Sequence, residues 1–529
     1  MSSPPASPPA PAAAPVEHPP LQGSARVMGT LVLSLATFMN VLDSSIANVS
    51  IPAIAGDLGA SPSQATWVIT RFGVANAIAV PLTGWLTQRF GAVRLFVASV
   101  LMFVLSSWLC GLATSLEMLV AARVLQGLVA GPMMPLSQTL LMASYPRSQA
   151  GKAMAFWGMT TLVAPVVGPL LGGWITDHIH WAWIFYINVP VGLLAAGITW
   201  SIYRRRETPT RRLPIDSVGL ALLVIWVAAL QLMLDKGHEL DWFHSGEVIA
   251  LAVVAVLGFA FFLAWELTEA HPIVDLRLFA GRNFLWGALT LSVAYGLFFG
   301  NVVLLPMWLQ QWLGYTATWA GMAMAPVGLL AILLTPLVGK KVAEWDPRRM
   351  ATGAFLLFAL VLWMRSRFTT GNDFTSILIP TLIQGAALSF FFIPLTTLTL
   401  AGQPPSKVPS AAGLSNFVRI TAGAMGTSVA TTLWQDRAIT HHAELVEHLQ
   451  PGVPAADEAL RQMQAGGLEP GQALAQLDRL VSQQAYTLAV DDIFLMSAAI
   501  FLLLVPMVWL TRRPPRRAGA AAVDAGGAH

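Results

Sequence analysis

Residues 27–52, VMGTLVLSLATFMNVLDSSIANVSIP, decide the class of this protein. The apolar run from Met28 to Val41 is typical of a membrane-spanning helix, and Asp43 follows it after a single residue. An ionised Asp inside a bilayer helix costs roughly 2.5–3.5 kcal/mol on insertion scales. Such a side chain therefore faces either a protein interior or the membrane surface, and counting along the helix leaves both interpretations open for Asp43.

The whole chain has the composition of a polytopic membrane protein. Of its 529 residues, 55% are hydrophobic and only 11% are charged, against roughly 25% charged residues in soluble domains. We therefore expect an all-α membrane protein with about fourteen spans. Their approximate centres are Ala36, Ile78, Val104, Gly131, Pro165, Leu194, Ile225, Val256, Ala294, Val327, Phe358, Ala387, Gly423 and Phe501.

The charge and the cysteine content exclude other classes. The net charge of +3 does not indicate nucleic-acid binding, because the basic residues lie in loops that flank the membrane. Cys110 is the only cysteine, which excludes disulfides within one chain and cysteine-based metal sites. We expect no metal and no cofactor.

The distribution of Lys and Arg predicts the orientation of the chain. Most of the 30 basic residues fall in alternate loops, and few, among them Lys236 and Arg365, fall in the others. The positive-inside rule then places both termini in the cytoplasm. It makes the loops around Arg206 and Arg348 cytoplasmic and the loop around Gly466 periplasmic. Inner denotes the predicted cytoplasmic side, and outer denotes the predicted periplasmic side.

A long-range repeat indicates two homologous halves. The pattern Pro81-Leu82-Thr83-Gly84 recurs as Pro336-Leu337-Val338-Gly339, and Gln126-Gly127 recurs as Gln384-Gly385 at almost the same offset. The sequence therefore predicts the following parts: a disordered cytoplasmic tail at 1–25, an N-terminal six-helix half at 26–204, two additional helices at 205–270, a C-terminal six-helix half at 271–511 that includes the periplasmic segment 436–490, and a cytoplasmic tail at 512–529.

One or two arginines are expected near Asp43. Arg123 lies in the outer half of the fourth span and Arg71 near the outer start of the second, both at a depth similar to that of Asp43. Neighbouring positive charge favours an ionised carboxylate, whereas burial favours a neutral one. These opposed effects suit a site that changes protonation, so Asp43 is the candidate proton-coupling residue.

Three further groups of residues are candidates for function. Gly84, Arg89, Gly91 and Arg94 form a tight inner loop, in which the arginines also fit ordinary positive-inside charges. Gly168, Pro169, Gly172 and Gly173 give the fifth span a small-residue face that packs closely on a neighbour and could rock against it. Asn416 and Arg419 on the thirteenth span are candidate substrate contacts, although Arg419 could equally reach the membrane surface.

The outer segment 436–490 is much longer than the other outer loops. It contains amphipathic stretches around Leu445 and Leu477, which argue against simple disorder. Two interpretations remain, a lid over the exit or a docking site for a partner.

Taken together, these motifs resemble a known family. Gly84 to Arg94, Arg123 with Gln126-Gly127, and Gly168 to Gly173 look like the three signature motifs of major facilitator drug antiporters. The stretch LDSSIANV at 42–49 resembles the first-span motif of the fourteen-span drug:proton antiporters of EmrB/QacA type. WAWIFYINVP at 181–190 and SNF at 415–417 are similar to the EmrB branch.

The resemblance implies a major facilitator fold and proton-coupled export of hydrophobic or amphiphilic drugs across the cell inner membrane. It also implies an EmrA-like periplasmic adaptor and an outer-membrane channel as partners. Two residues depart from the family pattern. Gln88 stands where the inner loop usually has an acidic residue, and Arg71 replaces an expected small polar residue.

The alternative within the same class is export of a native metabolite, such as a siderophore or a fatty acid. A membrane-embedded enzyme is disfavoured, because no His, Cys or paired carboxylates are expected to converge within the spans. An ATP-driven pump is disfavoured by the absence of a G-x-x-x-x-G-K-[ST] stretch.

Overall fold

The computed structural model describes residues 19–146, 150–210, 214–237, 239–269, 272–341, 345–404, 407–449 and 453–513. All regular secondary structure in these residues is helical. The helices of the N-terminal half are α1 Gly23–Ile46, α2 Ile51–Asp57, α3 Pro62–Ala65, α4 Trp67–Phe90, α5 Ala92–Gly111, α6 Leu116–Ala130, α7 Met133–Ser144, α8 Ala150–His178, α9 Trp183–Tyr186 and α10 Asn188–Tyr203.

Eleven further helices follow, with short 3₁₀ turns at Ala47–Val49, Trp242–His244 and Leu276–Ala280. They are α11 Ser217–Lys236, α12 Gly246–Thr268, α13 Arg282–Trp312, α14 Ala317–Met324, α15 Pro326–Lys341, α16 Pro347–Arg365, α17 Phe374–Ser389, α18 Phe392–Leu400, α19 Val408–Glu447, α20 Pro454–Ala465 and α21 Pro470–Trp509.

The structure confirms an all-α polytopic membrane protein. Twelve segments within the described ranges are long and apolar enough to cross a bilayer. The other two expected centres, Pro165 and Gly423, lie in α8 and α19, which are 29 and 40 residues long. The count of fourteen spans is therefore not confirmed and stays a prediction.

The terminal tails are only partly described. Residues 1–18 and 514–529, which hold most of both predicted tails, lie outside the described residues. Helix α1 begins at Gly23, before the predicted boundary at residue 26. Leu21 is buried and its N–H donates to the carbonyl of Ser144, so the residues just before α1 already pack on α7.

Close helix contacts occur where glycine removes a side chain. At Gly127 on α6 a Cβ would collide with the backbone oxygen of Phe72 on α4, and at Gly385 on α17 it would collide with that of Val327 on α15. The two glycines of the sequence repeat thus perform the same packing task in the two halves.

The added helices α11 and α12 pack on each other, and α11 also contacts α4 and α19. The N- and C-terminal halves meet directly where α4 packs on α19 and where α8 packs on α14. At the outer end of α8, the Asp177 carboxylate accepts the N–H groups of Ala317 and Thr318, at 3.2 and 2.6 Å, and so caps the start of α14.

The described residues of the outer segment, 436–449 and 453–490, are mostly helical and do not form an irregular loop. Helix α19 continues to Glu447, α20 follows, and α21 begins at Pro470 and runs into the last span. The two long extensions pack on each other, and His441 Nε2 lies 2.9 Å from Asp492 while His442 Nε2 lies 3.2 Å from Asp478.

Candidate functional site: two buried aspartate–arginine pairs

Asp43 lies in the protein interior, on the last turn of α1, and is fully buried. Its Oδ2 accepts a hydrogen bond from Arg123 Nη1 at 2.5 Å. Its Oδ1 accepts from Gln126 Nε2 at 3.0 Å and from Asn188 Nδ2 at 2.7 Å. Of the two interpretations that the sequence left open, the structure therefore has the interior one.

Arg123 has partners besides the carboxylate that it faces. Its Nε donates to the Val68 carbonyl at 3.0 Å, and its Nη1 also donates to Gln126 at 2.6 Å. The guanidinium lies 4.1 Å from the centre of the Phe72 ring, an arrangement that favours a cation. Removing one partner of such a buried pair typically costs about 3–5 kcal/mol, a large share of the roughly 5–15 kcal/mol by which folded proteins are stable.

Two members of this network had no role in the sequence analysis. Asn188 begins α10, within the stretch that resembles the EmrB branch, and donates to both Asp43 and Ser107. Ser107 on α5 also accepts from Gln126 at 2.6 Å. The network thus joins α1, α5, α6 and α10, all within the N-terminal half.

Arg71 does not pair with Asp43, contrary to the sequence-based expectation. It faces Asp235 on α11 instead, with 3.5 Å between Arg71 Nε and Asp235 Oδ2. The guanidinium also lies 4.3 Å from the Trp67 ring centre. The expectation failed because depth along a helix does not tell which neighbour the helix faces.

Asp235 is a second buried carboxylate that the sequence analysis did not identify. Its Oδ1 accepts from Gln231 Nε2 and from Ser428 Oγ, both at 2.7 Å. Gln231 in turn donates to Ser428 on α19 at 2.6 Å. The signal available in the sequence was Asp235 itself, a carboxylate at the end of an apolar run beside Lys236.

The inner loop acquires an acidic residue from another part of the chain. Glu207, which follows α10, accepts the N–H groups of Val93 and Arg94, each at 2.9 Å. These groups belong to the first turn of α5, where the helix offers unpaired donors and a positive dipole end. Glu207 lies far from Gln88 in the chain, so the motif around Gln88 did not reveal it.

Of the four residues of the predicted inner loop, Gly91 alone lies between helices, because α4 continues to Phe90 and α5 begins at Ala92. Gly91 has φ +89°, and a Cβ there would collide with the Glu207 carboxylate. Arg89 lies in the last turn of α4 and Arg94 Nε lies 3.9 Å from Glu207. Gly84 is exposed, and no atom lies within 4 Å of where its Cβ would be.

The fifth-span motif lies between α1 and α14. At Gly168 a Cβ would collide with the Ser45 side chain, and at Gly172 with the backbone oxygen of Ile46. At Gly173 it would collide with the backbone of Ala317, while the Pro169 carbonyl sits against Gly321. Helix α8 thus presses on the turn that carries Asp43 and, on another face, on the C-terminal half.

Arg419 is partly buried on α19 and lies over aromatic rings. Its guanidinium carbon is 4.5 Å from the Tyr295 ring centre and 5.6 Å from that of Phe392. Its Nη2 donates to Asn416 at 3.0 Å, and Asn416 is exposed. The two candidate substrate contacts therefore lie together, beside an aromatic wall contributed by α13 and α18.

The C-terminal half has no acid at the position that corresponds to Asp43. The offset that relates Gln126 to Gln384 relates Asp43 to Asn301, whose Nδ2 donates to Ser497 on α21 at 3.1 Å. Gln384 accepts from Arg365, which is buried at the end of α16 and not in an outer loop as the sequence analysis placed it. The two halves share a scaffold but not its ionisable group.

At the inner end of α16, Asp346 accepts a backbone N–H at the start of a helix, as Glu207 does at α5. Asp346 caps α16 by accepting from the backbone N–H of Arg348, and its side chain pairs with the same residue at 2.9 Å. Burial favours the neutral carboxyl, but these hydrogen bonds and the charge of Arg348 hold the pKa of Asp346 below its usual value.

Within the described ranges, no three His, Cys, Asp or Glu side chains come together as a metal site. The site contains instead two buried carboxylates, Asp43 and Asp235, each of which faces an arginine.

Comparisons with known proteins agree on one family. Residues 33–427 match the family model of the Major Facilitator Superfamily. The chain is 51% identical to "Multidrug export protein EmrB" of Escherichia coli, over 96% of this chain and 99% of that protein. It is 47% identical to "Fatty acid resistance protein FarB" of Neisseria gonorrhoeae, over 94% of this chain and 98% of that protein.

Solved structures share the fold at low identity. A bacterial homologue of the human lysosomal transporter Spinster superposes with a TM-score of 0.59 at 17% identity, over 93% of this chain and 100% of that one. A peptide transporter POT in complex with sulfate superposes with a TM-score of 0.61 at 13% identity, over 91% and 95% of the two chains.

Proposed function

This chain belongs to the major facilitator superfamily, as a multidrug efflux transporter of EmrB type, and we propose that it exports hydrophobic or amphiphilic drugs in exchange for protons. The observation that carries the proposal is Asp43, an acid enclosed in a membrane helix bundle and bound to Arg123 at 2.5 Å. No enzymatic step is proposed.

The geometry supports a proton-driven switch at Asp43. When ionised, the carboxylate holds Arg123, Gln126 and Asn188 in one network and ties α1 to α6 and α10. A proton on Asp43 removes the attraction for Arg123, so the network loosens and α1 is free to shift against α8. The dense glycines of α8 leave a smooth backbone surface for that shift.

The driving force suffices for export. Each pH unit supplies about 1.4 kcal/mol per proton, and 100 mV adds about 2.3 kcal/mol per net charge moved. We propose that substrate enters from the inner side, contacts the wall formed by Arg419, Tyr295 and Phe392, and leaves at the outer side when a proton enters.

The test of this function is transport by the purified protein in proteoliposomes. An imposed pH gradient should drive accumulation of a fluorescent cationic dye, an uncoupler should abolish the accumulation, and ATP should have no effect. Accumulation that needs ATP, or that ignores the pH gradient, contradicts the proposal.

A second candidate substrate class is a fatty acid. It is favoured by the Arg419 guanidinium beside an aromatic wall, which fits a carboxylate head with an apolar tail, and by the 47% identity to a protein named for fatty acid resistance. Competition of a long-chain fatty acid with the dye, lost in Arg419→Gln but not in an exposed control such as Arg461→Gln, would support it.

We also propose the division and orientation expected from the sequence. The N-terminal half is 26–204, the two additional helices are 205–270, and the C-terminal half is 271–511, with both termini in the cytoplasm of a multi-pass inner-membrane protein. Single cysteines at Arg206, Arg348 and Gly466 in a Cys110→Ser background test this. Labelling of the Arg206 site by an impermeant reagent from outside contradicts it.

The proposed partners are an EmrA-like periplasmic adaptor and an outer-membrane channel. The support is the long outer hairpin of α19, α20 and α21, whose exposed large apolar side chains include Ile439, Val446 and Leu474. Apolar side chains on a surface that faces water favour a protein partner. A lid over the exit remains the alternative for this segment.

A further inference from the structure

Asp235 is buried at the meeting point of three parts of the chain. Its side chain, only 1% exposed, belongs to the added helix α11. Ser428 reaches it from α19 of the C-terminal half at 2.7 Å, and Arg71 reaches it from α4 of the N-terminal half at 3.5 Å. The proton-coupling network around Asp43 uses none of these residues.

The two oxygens of Asp235 are unequally satisfied. Oδ1 accepts two hydrogen bonds, whereas Oδ2 has no hydrogen-bond partner among the described residues and only the Arg71 charge beside it. Burial without a donor disfavours the ionised carboxylate at Oδ2, whereas the Arg71 charge 3.5 Å away favours it. These opposed effects suit a carboxylate that exchanges a proton.

Acceptors for such a proton lie close by. Asp235 lines a small outer-side cavity together with the hydroxyl residues Ser63, Thr66 and Thr431 and with Gln435. The carbonyl oxygens of Gln231 and Gln435 are themselves buried without hydrogen-bond partners in the described part of the chain. The cavity thus offers polar groups that could pass a proton from the outer loops to Oδ2.

The charged residue next to Asp235 in the chain has a partner of its own. Lys236 and Glu247 form their own pair at 2.7 Å between α11 and α12. The residues of α19 that line the cavity include Ser428, Thr431 and Thr432, which are uncharged. Arg71 on α4 is therefore the charged group that faces Asp235.

The pair lies on a contact between the two halves. Helix α4 runs against α19, and a Cβ on Gly73 would touch the Ala424 side chain. An outward opening has to part these helices at their outer ends, where Asp235 holds Arg71 on one side and Ser428 on the other. Asp235 thus links α4 to α19, and we call its contacts with Arg71 and Ser428 the latch.

We propose that Asp235 is a second proton-binding residue, reached from the outer side, and that its protonation releases Arg71 and lets α4 and α19 separate. The proposal rests on proton-coupled export as the function and adds a gating role for the helix α11. A neutral Asp235 no longer attracts the guanidinium, and Arg71, 22% exposed, can turn toward water.

The first experiment detects the proton directly. Infrared difference spectra of the purified full chain, recorded between neutral and acidic pH, should show carboxylic C=O bands that appear on acidification. Asp235→Asn should remove one of them. Asp43→Asn and the exposed control Asp241→Asn should both leave that band in place. If the Asp235→Asn spectrum equals the wild-type spectrum, the proposal is wrong.

The second experiment measures the gate. Spin labels at exposed Ser61 and Ile439, in a Cys110→Ser background, report the separation of the outer ends of α3–α4 and α19. The wild type should shift toward longer distances at acidic pH, Asp235→Asn should show the longer distances at every pH, and Asp235→Glu should restore the pH dependence. Unchanged wild-type behaviour in Asp235→Asn overturns the latch.

If Asp235→Asn does not fold, Arg71→Gln serves the same purpose from the less buried side. It should also give the longer distances at neutral pH, and a wild-type distance distribution in Arg71→Gln contradicts the proposal. Neither readout needs a substrate or a proton gradient. Failure of proton-coupled export in proteoliposomes and failure of the latch are therefore distinguishable.

Discussion

Asp43 and Asp235 are both buried aspartates that face an arginine, yet they differ in how they are held. Both oxygens of Asp43 accept hydrogen bonds, and every donor comes from the N-terminal half. Asp235 has one unsatisfied oxygen, and its partners come from α4, α11 and α19. The first pair is enclosed within one packed unit, whereas the second joins the helices that we propose separate during transport. Two Asp–Arg pairs can therefore have different roles. A pair whose partners all lie in one half stabilises that half, whereas a pair between helices of different parts can control how these helices separate.

The largest expected difference between the pairs is in stability. Arg123→Ala leaves a fully buried carboxylate without its cation and should lower the free energy of unfolding by about 3–5 kcal/mol. Arg71→Ala should cost less, about 1–3 kcal/mol, because Arg71 is 22% exposed and lies 3.5 Å from Asp235 without a hydrogen bond, whereas Arg123 is fully buried and bonded to Asp43. Denaturation of both purified variants in mixed micelles measures the difference. Equal losses would show that the two sites are held alike.

The packing of α1 on α8 offers a way to loosen the enclosed pair alone. Gly172→Val would push a side chain into the Ile46 backbone next to Asp43 and should cost about 1–3 kcal/mol. Gly84→Val is the matched control, because the same change on α4 meets open space and should stay within about 1 kcal/mol. Thermal unfolding of the two variants decides, and a larger loss at Gly84 would refute the assignment of α8 as the support of Asp43.

The enclosed pair was accessible from sequence, and the latch was not. Asp43 and Arg123 stand out as charges inside long apolar runs, and counting at the helix rise puts them at one depth. The partner of Arg71 depends on which face α4 turns to α11, which no spacing in the chain encodes. Glu207 was missed for the same reason, since it reaches the first turn of α5 from the connection that follows α10.

The helical class, by contrast, follows from composition, because a lipid-exposed chain has to satisfy its backbone within helices. The boundaries of spans were harder. Arg365 was assigned to an outer loop because the positive-inside rule treats every basic residue near a span end as a loop residue. In the structure Arg365 is the last residue of α16, and its side chain donates to Thr381 and Gln384 inside the C-terminal half.

The smallest effect on either pair is expected from shortening the outer hairpin. Replacing residues 443–484 by a short Gly/Ser linker leaves Asp43, Asp235 and all their partners in place. Proton-driven transport in vesicles should persist near the wild-type level, while resistance of intact two-membrane cells should be lost because the adaptor can no longer dock. Full resistance together with retained adaptor pull-down would place docking elsewhere.

The central claim is that a proton on Asp43 is coupled to transport. Its most direct measurement compares wild type and Asp43→Asn in proteoliposomes under an imposed pH gradient, with downhill dye movement recorded in the same vesicles. The wild type should reach up to about a tenfold accumulation ratio per pH unit for each proton exchanged, and Asp43→Glu should keep part of it. Asp43→Asn should show no response to the pH gradient while still moving dye downhill. Accumulation by Asp43→Asn equal to that of the wild type would contradict the account.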